Sequence, residues 1–167
     1  MQTKVKRFGS WLVAIALIWG GVDIACEYVN AGHYRMPTSA MEPTIKSGDS
    51  FRADMSAYES ADPQRWDLVI FLSPQDQTRT WVFRVVGLPG ETISFGDDGL
   101  LIDDQPVALP ETIGVAKYSG SENSGDDEFV VPVDSYYVLG DNPAKANDSR
   151  FWGAVSRDAI LGKVDLD

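Results

Sequence analysis

Between residues 31 and 167 the chain sustains no helical period. Its apolar residues fall in runs of three to six, each stopped by Gly, Pro, Asn, Asp or Ser. A chain punctuated this way can bury its apolar side chains only by stacking short strands, so the pattern predicts a mostly β domain built from antiparallel sheets. Leu68-Val69-Ile70-Phe71-Leu72 is a continuous apolar run ending at Ser73-Pro74, as a strand buried on both faces should be. Trp81-Val82-Phe83-Arg84-Val85-Val86 follows and stops at Gly87-Leu88-Pro89-Gly90. Ile93-Ser94-Phe95 and Leu100-Leu101-Ile102 flank a Gly-Asp-Asp-Gly turn, and Asp103-Asp104 turns the chain again into Gln105-Pro106-Val107. Tyr136-Tyr137-Val138-Leu139 leads into Gly140-Asp141-Asn142, and Trp152-Gly153-Ala154-Val155 begins the closing segment. The small, acidic stretch between Glu111 and Glu128 reads as a surface excursion.

Ahead of this domain, Phe8 to Val22 is 15 residues without a charge, preceded by Lys4, Lys6 and Arg7. Extended past Asp23 through Cys26, the stretch reaches the length of a spanning helix, with Asp23 near the interface. The expected organisation is a cytoplasmic N-terminus and transmembrane anchor over residues 1–30 and an extracytoplasmic β domain over residues 31–167. The preceding basic residues place the chain as single-pass in the cytoplasmic membrane with its C-terminal domain outside. A cleaved signal peptide is the rival reading of the same residues.

Net charge is −11, and because residues 1–30 hold three basic and two acidic side chains, residues 31–167 carry −12. Such a body repels phosphate backbones and argues against nucleic acid as a partner. Cys26 is the single cysteine and His33 the single histidine, so no internal disulfide forms. No metal-ligand spacing or phosphate loop is present, and no cofactor is expected.

Three ordered motifs carry a family resemblance. Met36-Pro37-Thr38-Ser39-Ala40-Met41-Glu42-Pro43-Thr44 resembles the Pro-Ser-x-Ser-Met-x-Pro-Thr nucleophile segment of signal peptidase I. Arg65 to Phe71 and Val82 to Gly90 are similar to its Gly-Asp-Ile-Val-Val-Phe and Val-Lys-Arg-Val-Ile-Gly-Leu-Pro-Gly segments. Gly140 to Gly153 is similar to its Gly-Asp-Asn…Ser-Arg-x-Trp-Gly loop. The resemblance implies the signal-peptidase-like β fold and, for the family, cleavage of signal peptides from exported preproteins by a serine hydroxyl activated by a neutral lysine.

Carried onto this chain, the resemblance puts Ala40 at the nucleophile position, Phe83 at the general-base position and Ala146 at the serine that orients the base. None of the three has a polar side chain. Thr38, with the Ala40 amide, stands where the family binds the oxyanion or a peptide carbonyl. Asp67, Asp141, Asp148 and Arg150 match family positions, Asp148 and Arg150 as an ion pair bracing the third loop. Ser39 should point away from Ala40 if this segment is extended. Lys46 and Lys145 read as solvated loop charges, and His33 as an interface residue.

Loss of the dyad together with its supporting serine points to a pseudoenzyme rather than to a single inactivating change. The leading expectation is a non-catalytic binder of signal or exported peptides, or an assembly factor in secretion. Residues 38–41 and 81–86 would pair with an extended peptide by strand addition. The alternatives are an active signal peptidase I with an unrecognised nucleophile, with Ser39 as candidate, and a structural membrane subunit whose groove is closed.

Overall fold

The computed structural model describes residues 27–30, 32–96, 99–113 and 128–166. Twelve strands form among them: β1 (Glu27–Asn30), β2 (His33–Arg35), β3 (Ser50–Asp54), β4 (Leu68–Leu72), β5 (Thr80–Gly87), β6 (Thr92–Gly96), β7 (Gly99–Ile102), β8 (Gln105–Pro106), β9 (Phe129–Val130), β10 (Ser135–Leu139), β11 (Val155–Ser156) and β12 (Ile160–Asp165). One α-helix, α1 (Ser149–Trp152), precedes β11, and 3-10 turns form at Glu111–Ile113 and Arg157–Ala159. The larger sheet runs β1-β2-β3-β12-β4-β5-β10-β11 and the smaller β8-β7-β6-β9, every pairing antiparallel.

The smaller sheet is an excursion between β5 and β10, which pair with each other through Tyr137↔Gly87, Val138↔Val85 and Leu139↔Arg84. This connectivity gives the domain two cores, and β10 serves both. Tyr136 and Val138 enter one core with Phe71, Trp81 and Phe83, while Tyr137 and Leu139 enter the other with Ile93, Leu100 and Ile102. Alternation of side chains along a strand makes that division possible.

Strand β4 is buried on both faces from Leu68 to Phe71, as its unbroken apolar run requires. The turn after β7 puts Asp103 and Asp104 at φ 50° and 62°, the left-handed geometry of a type I′ hairpin, which Asp tolerates. Arg65 ties the two sheets together. It pairs with Glu91 and donates through Nη1 to the Val86 carbonyl at 2.6 Å, while Glu91 also accepts from the Leu88 amide at 2.7 Å.

Three features differ from the sequence reading. Glu27–Asn30, assigned to the end of the anchor, form strand β1 against β2. Trp152 ends α1 rather than opening the closing segment, because Asp148 caps that turn by accepting from the Arg150 amide. The motif around Ala40 is not extended: Glu42 donates to the Ser39 carbonyl at 3.2 Å and Ile45 to the Met41 carbonyl at 2.9 Å, so residues 39–45 coil through successive turns. The expected membrane span and residues 114–127 of the acidic excursion lie outside the described residues. Among the described residues no helix is long and apolar enough to cross a membrane.

Asp67, at the entry to β4, accepts from Lys163 Nζ at 2.7 Å, Tyr58 Oη at 2.9 Å and the Gln64 amide at 3.0 Å. Burial acts to raise its pKa, but these donors together outweigh it and hold the carboxyl below its ordinary 3.8. A depressed folded-state pKa contributes stability that is present above the unfolded value and lost as pH falls through the folded one. Asp67→Asn should therefore lower the urea midpoint near neutral pH, and the gap from wild type should narrow below about pH 4. Urea titrations across that range measure it.

Candidate functional site

Ala40, Phe83 and Ala146 lie 63 residues apart between the second and third and 43 between the first and second in sequence, yet they converge on one point. That point is Gly140. A Cβ built there would stand 2.3 Å from the Ala146 methyl, 2.8 Å from the Ala40 carbonyl oxygen and 3.1 Å from Phe83 Cε1. Any side chain at residue 140 would displace all three, which is the physical reason for glycine at that position.

Four elements deliver these groups. Strand β5 supplies Phe83, the turns after β2 supply Ala40, β10 ends at Gly140, and the loop before α1 carries Ala146. The loop is docked directly onto the first motif. Asn142 donates its amide to the Ala40 carbonyl and its Nδ2 to the Ser39 carbonyl, both at 3.0 Å.

Beneath this contact lies an ion pair that the sequence reading did not identify. Arg84 donates through Nε to Asp141 Oδ1 at 2.8 Å and through Nη2 to Asp141 Oδ2 at 2.6 Å, with both side chains buried. Its Nη1 donates to the Trp66 carbonyl at 2.9 Å, and the Thr44 hydroxyl donates to Asp141 Oδ2. One guanidinium thus joins β5, the turn before β4, the first motif and the loop after β10. The available signal was Arg84 itself, a lone charge inside the apolar run Trp81 to Val86, which requires a buried partner. Asp148 and Arg150 form a second bidentate pair at 2.8 and 3.0 Å; Asp148 also accepts from the Gly140 amide at 3.0 Å, and Arg150 Nη2 donates to the Pro143 carbonyl at 2.8 Å.

The centre of the site is apolar and enclosed. Ala40 is 0 % exposed, Phe83 1 % and Ala146 6 %, and all three belong to the main hydrophobic core. The Phe83 ring packs 6.0 Å from Phe71 and 6.2 Å from Trp81, with Trp152 5.7 Å beyond Trp81. Trp81 Nε1 is buried with no hydrogen-bond partner among the described residues. At the rim, the Ala40 amide donates to Thr38 Oγ1 at 3.4 Å.

The remaining candidates lie apart from this centre. His33 sits in β2 opposite Arg52 and lines a cleft of about 490 Å³ together with Thr44, Ile45 and Asp165, a cleft that Ala40, Phe83 and Ala146 do not line. Lys46 and Lys145 are exposed. Ser39 holds the loop through its carbonyl oxygen. Among the described residues no group of His, Cys, Asp and Glu is arranged to hold a metal ion.

Two sets of variants test this geometry. Asp141→Leu or Arg84→Met alone should cost about 3–5 kcal/mol, because each strands a buried charge. The double variant should cost much less than the sum, a coupling that denaturant midpoints measure. Phe83→Lys should also destabilise the domain, since losing the ring forfeits up to about 3–5 kcal/mol and the incoming amine lacks a partner. Adding Ala146→Ser should recover part of the loss. Additive effects at 83 and 146 would show that the two side chains do not share a pocket.

The family model described as Signal peptidase, peptidase S26 matches residues 6–167 of the chain. The protein named Probable signal peptidase I-2 of Synechocystis sp. is 30 % identical over 140 residues, covering 77 % of this chain and 59 % of its own length. Signal peptidase IB of Staphylococcus aureus is 25 % identical over 173 residues, covering 96 % and 89 %. This chain therefore spans about three fifths of the first relative and most of the second. The crystal structure of a signal peptidase I from Enterococcus faecalis superposes with a TM-score of 0.50 at 31 % identity, covering 63 % of this chain and 98 % of that one. By its match along nearly its whole length, the chain belongs to the signal peptidase family, peptidase S26.

Proposed function

We propose that this protein is a catalytically silent member of the signal peptidase family, an assembly factor or holder of exported polypeptides that does not hydrolyse them. The observation that carries the reading is the convergence of Ala40, Phe83 and Ala146 on Gly140. At the three positions where the family resemblance requires a nucleophile, a base and the base's partner, the chain presents two methyl groups and a phenyl ring. None of them can donate, accept or transfer a proton. The Thr38 hydroxyl has no base beside it to activate it, and the Ala40 amide is already directed to Thr38 Oγ1.

The burial of Ala40 and Phe83, 0 % and 1 % exposed, favours a role exercised through the outer surface of the domain. Holding an extended peptide at the site is a second reading, favoured by one feature. Strand β10 leaves β5 after the Leu139↔Arg84 pair, so among the described residues the ladder pairs of Trp81 to Phe83 are those with β4. In either reading the protein works on secreted or membrane-exported chains at the cytoplasmic membrane, with residues 1–30 providing the anchor except where β1 begins.

Full-length protein in detergent, incubated with a preprotein ending its signal sequence in small residues, should yield no cleaved product. Cleavage that vanishes on Ser39→Ala would instead assign the nucleophile to Ser39 and overturn the proposal. In the same preparation, a fluorescent signal-sequence peptide separates the two readings: saturable binding supports the peptide holder, and none supports the surface role. A reporter enzyme fused after Asp167 is expected to be active outside the cytoplasm. Activity of the reporter inside the cytoplasm would reverse the topology.

A further inference from the structure

We draw no further inference here: the strongest candidate, the cleft of about 490 Å³ between β2, β3, the turn at residues 44–49 and the end of β12, is lined by the exposed charges Asp49, Arg52 and Asp165 of both signs, and no buried unpartnered polar group points into it to say what it would hold.

Discussion

The buried pairing of Arg84 with Asp141 is the constraint on which the geometry of the site depends. A guanidinium in the middle of β5, flanked by Phe83 and Val85, loses most of its hydration, and its donors must find fixed acceptors. The acceptors come from segments distant in sequence: the Asp141 carboxylate after β10 and the Trp66 carbonyl before β4, with the Thr44 hydroxyl bound to the same carboxylate. A buried ion pair of this kind adds little net stability over an apolar equivalent. What it fixes is placement. Moving any one of these segments would break at least one of those hydrogen bonds, so the first motif, β5 and the third loop have a single mutual arrangement, and Ala40, Phe83 and Ala146 are held around Gly140.

Against that polar frame, the apolar centre is internally consistent. A lysine at position 83 without the hydroxyls around it would leave an amine desolvated and unpaired, and hydroxyls at positions 40 and 146 without the lysine would leave buried polar groups competing for partners. Replacing all three together removes each of those costs. Among the described residues the only buried side-chain polar atom without a partner is Trp81 Nε1, so no unpaired polar side-chain atom lies at positions 40, 83 or 146. The Phe83 ring stacks into a group of aromatic side chains with Phe71, Trp81 and Trp152, which gives the site the character of a hydrophobic core.

The strands legible in the sequence are those whose side chains are apolar on both faces or bounded by strong turn residues, namely β4, β5, β6, β7 and β10. Strand β3, Ser-Phe-Arg-Ala-Asp, alternates over only five residues with charges on its outer face, and β12 interrupts its pattern with Gly162 and Lys163; neither rises above the background of a polar segment. The coiling of residues 39–45 was hidden for a different reason. It depends on the Asn142 amide and side chain, a hundred residues away, gripping the Ala40 and Ser39 carbonyls. The motif residues themselves were readable because the resemblance placed them by alignment. The pairing of Arg84 with Asp141 was not, since 57 residues separate them and no local pattern reports a pairing at that range.

Burial sets a second limit on chemistry at this site, independent of the missing groups. A nucleophile must reach a substrate carbonyl along an open approach to about 3–3.5 Å. Residue 40 is 0 % exposed and Phe83 is 1 % exposed, so a hydroxyl placed at residue 40 would sit inside the core rather than at its edge. At Gly140 the Ala146 methyl and the Ala40 carbonyl oxygen come so close that no side chain fits between them. Restoring a serine and a lysine would return the reactive atoms without returning access to them. The packing around Gly140 thus limits access to residue 40 independently of which side chains stand at positions 40, 83 and 146.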